Sequence, residues 1–175
     1  MGNNLFLIGM MGSWKSTVGK KMASALNMKF IDIDDAIEEI TNMNVSDIFN
    51  EFGEKRFREM ESAFFIEKAK QKGYIFSTGG GIVLQKPNRD ILRKQGTCFF
   101  LNASPYALSK RIHNTSKRPL LEEGDKLEDR LQTIWDKRKQ LYIDCANFTI
   151  NTDDMNPNQV LNEILKILED HIADN

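Results

Sequence analysis

The sequence predicts an α/β domain with a parallel sheet covered on both faces by helices. Three observations carry that prediction. Short apolar runs alternate with segments of helical period from one end of the chain to the other. The runs are continuously apolar rather than alternating, as strands buried on both faces require. A glycine-rich loop follows the first run and opens the first helix, which is how βα units begin. At 175 residues the chain fits a single domain, 1–175, with room for a sizeable core. A net charge of −1 argues against broad nucleic-acid binding, which needs a basic stripe. No apolar run reaches the roughly 20 residues of a membrane span, and no signal pattern opens the chain, so a cytoplasmic protein is expected. A monomer is expected as well.

Asn4 to Ile8 is the first strand, and Lys15 to Leu26 is a helix with Val18, Met22 and Leu26 on one face. Lys29 to Ile33 is the second strand. A helix follows from about Asp35 to Thr41, with Asp35 as its cap. Ser46 caps a short helix through Phe52, and a longer one runs from about Glu54 to Gln71, stopped by Gly73. Tyr74 to Ser77 is the third strand and leads into Gly79-Gly80-Gly81. Asn88 to Gln95 is helical, Thr97 to Leu101 is the fourth strand, and Ser104-Pro105 open a helix through Ile112. The stretch from His113 to Lys126 is polar, with Arg118-Pro119 inside it; a loop of this length in a compact domain suits a lid, placed at about 113–124. A helix carrying Arg138, the strand Ala146 to Ile150, and a last helix from Pro157 complete the chain. Cys98 and Cys145 stand far apart in apolar surroundings, which predicts buried free thiols. Neither His113 nor His171 has neighbours suited to a zinc site.

The loop Gly9-Met10-Met11-Gly12-Ser13-Trp14-Lys15-Ser16 matches G-x-x-x-x-G-K-[ST] except at Trp14, where a glycine is expected. Backbone N–H groups and a helix N-terminus would then face an anion. Lys15 would reach the β- and γ-phosphates of a nucleotide, and Ser16 would bind magnesium. Ligands in parallel α/β sheets sit beyond the carboxyl ends of the strands. That rule also selects Asp32 and Asp34, spaced to share one face of an extended segment, and the triple glycine, whose bare backbone suits close approach to a ligand. On the long helix Arg58 and Glu61 are three apart and can pair.

Together these residues resemble the shikimate kinase family over nearly the whole chain. The matching segments are Gly9 to Gly19 (apart from Trp14), Phe30-Ile31-Asp32-Ile33-Asp34, Gly53-Glu54-x-x-Phe57-Arg58-x-x-Glu61, Gly79-Gly80-Gly81, Arg118-Pro119-Leu120-Leu121 and Arg138-x-x-x-Tyr142. The first third is also similar to gluconate kinase. The resemblance implies a three-layer α/β/α P-loop kinase fold with five parallel strands in the order 2-3-1-4-5, using ATP and Mg2+ to phosphorylate the 3-hydroxyl of shikimate. It also implies substrate-binding helices at about 34–62. Carried over by position, Gly12, Ser13, Lys15, Ser16, Thr17, Arg111 and Arg118 would bind the nucleotide, with Arg111 against adenine. Asp34 would hold shikimate hydroxyls and act as base, while Arg58, Arg138, Gly80 and Gly81 would take its carboxylate. Lys15 and Arg118 would stabilise the transferring group, and Asp32 would lie near magnesium through water. Two departures stand out: Trp14, and the acidic Asp153-Asp154 in the loop expected to flank adenine. Trp14 leaves two alternatives open, a kinase-like binder without efficient catalysis and a recent or engineered change in a working enzyme.

Overall fold

In the computed structural model, which describes residues 3–112, 120 and 126–173, five parallel strands form one sheet in the order β2-β3-β1-β4-β5. β1 (Asn4–Ile8) is central, between β3 (Tyr74–Ser77) and β4 (Gly96–Asn102); β2 (Lys29–Asp32) and β5 (Phe148–Asn151) are the edges. Every residue of β1 is buried, which is why its sequence does not alternate. Successive side chains still leave on opposite faces. Phe6 and Ile8 join Phe76, Cys98 and Phe100 under α2 (Ile33–Thr41), α3 (Val45–Ala69), α4 (Lys86–Lys94), α5 (Pro105–Arg111) and α6 (Leu127–Cys145). Leu5 and Leu7 join Ile75, Phe99 and Ile150 under α1 (Lys15–Leu26) and α7 (Pro157–Ala173). On the first face Phe65 from α3 meets Phe6 and Phe76 edge-on, with centroids 5.6 and 5.8 Å apart. Such pairs add about 0.5–1.5 kcal/mol to the burial itself.

Several boundaries differ from expectation, each for a local reason. α2 starts at Ile33 because Asp32, not Asp35, is its N-cap: Asp32 Oδ1 accepts the Asp34 N–H at 3.1 Å. Asp34 therefore stands in the first turn of a helix rather than on an extended segment, and Asp35 stays in that turn, where the helix dipole favours negative charge. Asn44, not Ser46, caps α3, accepting the Asp47 N–H at 2.9 Å, while Glu38 Oε1 accepts the Val45 N–H at 2.8 Å. The two helices expected around Gly53 form one element bent at that residue, whose φ of 80° and ψ of 163° belong to glycine alone. α3 ends at Ala69, and α4 starts at Lys86, ahead of the expected Asn88. Ala146 and Asn147 belong to a turn: Asn147 Oδ1 accepts the Cys98 N–H at 2.8 Å and the Asn147 N–H donates to Cys98 O at 2.8 Å, so β5 begins only at Phe148.

Cys98 and Cys145 are free and buried. Among the described residues no helix is long and apolar enough to cross a membrane. Arg118 and the expected lid at 113–124 lie outside the described residues, apart from Leu120.

Candidate active site

The strand order places the carboxyl ends of β1, β2 and β3 side by side, so the loops that follow them face one another. After β1 the chain turns through the phosphate-loop sequence. The Ser13 N–H donates to Met10 O at 3.3 Å, and the buried Lys15 folds back so that Nζ donates to Met10 O at 2.8 Å. Trp14 is the residue before α1 and has no side-chain cap bond to it; its φ of 67° and ψ of 17° are left-handed. Trp14 thus stands in the region that favours glycine, at a cost of about 1–3 kcal/mol in strain. Beside it, Ser16 Oγ donates to Asp32 Oδ2 at 2.5 Å and lies 3.2 Å from Ser77 Oγ. Asp32 thereby has two tasks, capping α2 with one oxygen and holding Ser16 with the other. These groups border a cavity of about 290 Å³ whose lining also includes Asp34, Gly80, Trp14, Thr17 and Arg111.

At Asp34 and Gly80 that cavity meets a second one of about 140 Å³. The bend at Gly53 sets the direction of the rest of α3, from which Arg58 and Glu61 project on one face. Arg58 Nη1 donates to Glu61 Oε2 at 2.7 Å, with both side chains buried, and Glu54 accepts from Nε at 3.3 Å. Arg138 is buried on α6 and faces the same space, with Phe49 and Phe57 as an apolar wall. Among the described residues, Asp34 Oδ1, Glu61 Oε1 and Arg138 Nη1 are buried polar atoms without a hydrogen-bond partner. Buried polar atoms rarely go unpaired, and Asp34 and Arg138 border the smaller cavity, so these two mark a place for a polar ligand.

Two of the three consecutive glycines, Gly79 and Gly81, are explained by their neighbours. A Cβ on Gly79 would stand 2.2 Å from Glu61 Oε1, and one on Gly81 would stand 2.2 Å from Arg58 Cζ. No side chain fits at either position with the ion pair in place. The Tyr142 hydroxyl donates to Gly80 O and fixes this turn from α6. Sequence reasoning quoted Tyr142 without giving it a role; its place four residues after Arg138 on the same helical face was the available signal.

The electrostatics follow from burial. Asp34 is half-exposed as a residue, yet its Oδ1 is enclosed. Desolvation first, then the Glu61 and Asp32 charges, raise its pKa from 3.8 to about 7 against the pull of Arg58 and Lys15. Burial also raises Glu61, with the Arg58 guanidinium opposing. For Arg58 burial works against the charge, but Glu61 and Glu54 outweigh it and its pKa rises.

The family model described as shikimate kinase matches residues 11–169. The chain is 39% identical over 166 residues to the shikimate kinase of Thermodesulfovibrio yellowstonii, covering 95% of each. It is 38% identical over 169 residues to that of Vibrio cholerae, covering 97% of each. The chain belongs to the shikimate kinase family. Its fold superposes on the shikimate kinase of Acinetobacter baumannii in complex with shikimate with a TM-score of 0.93, at 31% identity, over 98% of this chain and 95% of that one.

Gly12, Lys15, Ser16, Thr17, Asp32 and Arg111 border the larger cavity, with Ser13 buried in the loop beneath. Arg58, Arg138, Gly80 and Gly81 border the smaller one, and Asp34 borders both. The acidic loop after β5 has a structural reason: Asp153 Oδ1 accepts the Ser104 N–H at 2.8 Å and ties the loop to the start of α5. The contact that sequence reasoning missed is between Trp14 and Arg111, whose guanidinium carbon lies 3.6 Å from the indole centroid.

Proposed function

We propose that this chain transfers the γ-phosphoryl group of ATP to the 3-hydroxyl of shikimate, giving shikimate 3-phosphate on the route to chorismate and aromatic amino acids. One observation carries the reading: two buried guanidinium groups, Arg58 and Arg138, and the carboxyl of Asp34 face a single small cavity that opens onto the phosphate loop. A small anionic polyol needs this arrangement, a guanidinium fork for its carboxylate and an acceptor for its hydroxyls. Glu61 holds the Arg58 fork in position, and Gly80 and Gly81 let the substrate approach the backbone. Asp34, poised near neutral pH, accepts the proton of the attacking hydroxyl. Lys15, the Ser13 side chain and the N–H groups of Gly12, Ser16 and Thr17 hold the phosphates, and Arg118 adds positive charge to the group in transit.

Magnesium suits the donor set. Ser16, Asp32 and Ser77 offer oxygen alone, and among the described residues no cluster of His, Cys, Asp or Glu could cage a metal. Mg2+ is normally held in this way, by few protein oxygens with water and substrate phosphate. Ser16 would bind it directly and Asp32 through water, and the ion would neutralise charge on the phosphates. Arg111 lies against the adenine, and Trp14 weakens nucleotide binding. The protein works in the cytoplasm as a monomer.

The test is product identification. Incubation with Mg2+, ATP and shikimate is expected to give ADP and a phosphate ester on the 3-hydroxyl, read by phosphorus NMR. A panel with gluconate and quinate in place of shikimate checks the acceptor. Faster turnover of gluconate than of shikimate would overturn the assignment.

A further inference from the structure

We propose that the Trp14 indole occupies the nucleobase position, lying on the Arg111 guanidinium where the purine would lie, and must swing away before ATP can bind. The inference rests on the reading of this chain as an ATP-dependent kinase.

The side of the larger cavity that receives the base follows from the strand order. Phosphoryl transfer takes place where the two cavities share Asp34 and Gly80, after β2 and β3. A nucleoside triphosphate lying across the phosphate loop from there carries its base toward the β4 and β5 side, where Arg111, at the end of α5, borders the same cavity with Trp14. There the Arg111 guanidinium is held rigidly by its edges. Nη1 donates to Thr152 Oγ1 at 3.1 Å, and Nη2 donates to Thr152 O at 2.5 Å and to Asp153 O at 3.2 Å. Thr152 is itself anchored, donating through Oγ1 to Asn102 O at 3.0 Å and through its N–H to the same oxygen at 2.8 Å. A guanidinium whose edges are bound offers a ligand its flat face, and a flat cationic face selects a planar π system. The chain's own indole already lies there, at 3.6 Å, closer than any other cation–ring contact among the described residues, which span 5.1 to 6.0 Å.

The phosphate loop closes on itself with Trp14 in place: Trp14 takes a left-handed backbone, and the Ser13 N–H and Lys15 Nζ donate to Met10 O. The indole lies on Arg111, so the obstruction it creates is at the base. The indole is only partly buried, so its rotation is fast and the block acts on affinity rather than on association. Giving up one guanidinium–indole contact corresponds to about two- to thirtyfold in binding.

The full chain and its Trp14→Gly variant are to be titrated by calorimetry with Mg-ATP and, separately, with magnesium tripolyphosphate, which has the phosphates and no base. ATP is expected to bind the variant about two- to thirtyfold more tightly, with tripolyphosphate unchanged. An equal gain for both ligands places the obstruction at the phosphates; a loss for ATP makes the indole a platform for the base; no change for either means that it touches neither. Each of these overturns the proposal. A second readout uses fluorescence in a Trp135→Phe chain, where Trp14 is the one indole left of the protein's two. ATP should make it more accessible to acrylamide and tripolyphosphate should not; if Trp135→Phe fails to fold, quenching in the unaltered chain serves. Shikimate turnover by Trp14→Gly is scored separately. Absence of turnover with the contrast between ATP and tripolyphosphate intact would overturn the acceptor assignment alone, whereas absence of that contrast would overturn the inference whatever the turnover.

Discussion

The two ends of the site are built on different principles. At the acceptor end the charged groups are buried, paired and pressed against bare backbone. Glu61 is fully enclosed, Arg58 is bonded to it at 2.7 Å, and Gly79 and Gly81 beside them have no room for a single added carbon. At the nucleotide end Ser16 and Thr17 are exposed, Trp14 and Arg111 are half-buried, and the shape is set mainly by the backbone dihedrals of one loop. The first construction constrains many residues at once, because each fills space that another defines. The second tolerates a large change at one position so long as the main chain can keep its course. A glycine can be replaced by tryptophan in the loop with the fold preserved, whereas a methyl group on Gly81 would displace a buried ion pair.

This contrast is sharpest at Asp34, where the largest effect is expected. Asp34→Asn keeps the shape and removes the base, so turnover should fall about 10²–10⁴-fold while nucleotide affinity changes little. In the parent chain kcat/KM should rise with pH through the Asp34 pKa of about 7. A flat profile across about pH 5.5–8.5 would place the base elsewhere.

Next in size are the ion-pair substitutions. Glu61→Ala leaves the Arg58 charge buried without its closest partner, and such breaks cost about 3–5 kcal/mol in stability. Arg58→Ala should cost about 2–5 kcal/mol in kcat/KM for shikimate. Denaturant unfolding and steady-state kinetics on the two variants separate these effects. A Glu61→Ala chain as stable as the parent would show that the acceptor end is no more tightly built than the loop.

A smaller effect concerns pH and stability. The folded-state pKa of Asp34 is raised from 3.8, so the folded chain retains a proton that the unfolded chain releases. Its contribution to stability is complete below about pH 4 and is lost as pH rises through about 7. Asp34→Asn removes this dependence, so the variant should gain Tm relative to the parent between about pH 5 and pH 8. Thermal scans at the two pH values check the sign, and a constant difference between the chains would overturn the assignment.

The same contrast explains what could be read in the sequence. Five strands, a parallel sheet and the segments that converge on the site were legible because strand ends and glycine loops have fixed places in α/β folds, while the strand order came from the family resemblance. Arg58 and Glu61 were legible as a pair because helix spacing puts them together. The caps were not. Asp32, Asp34 and Asp35 are chemically equivalent candidates, as are Asn44 and Ser46 nearly so, and local preference does not rank them. Asp32 is the cap, and its other oxygen accepts from Ser16 of another βα unit, a tertiary contact that local preference does not contain. The Trp14–Arg111 stack was equally hidden, since it depends on α5 ending beside the phosphate loop and on the loop after β5 fixing the guanidinium.

The smallest expected effect is that of Trp14→Gly on stability itself. Glycine relieves the left-handed strain at position 14, a gain of about 1–3 kcal/mol if the residue is fully strained there. Against this, the variant loses the guanidinium contact, about 0.5–1 kcal/mol for a half-exposed pair. It also loses the packing of the indole against the partly buried edge of the second core cluster. The more flexible unfolded chain costs about 0.4–1 kcal/mol further. These contributions oppose one another, so the net change should stay within about 1 kcal/mol, or roughly 2–4 °C in Tm for a domain of this size. Thermal unfolding of both chains without ligand measures it directly. A loss of 10 °C or so would mean that the indole is a structural element of the loop, and the division between a tightly built acceptor end and a tolerant nucleotide end would fail.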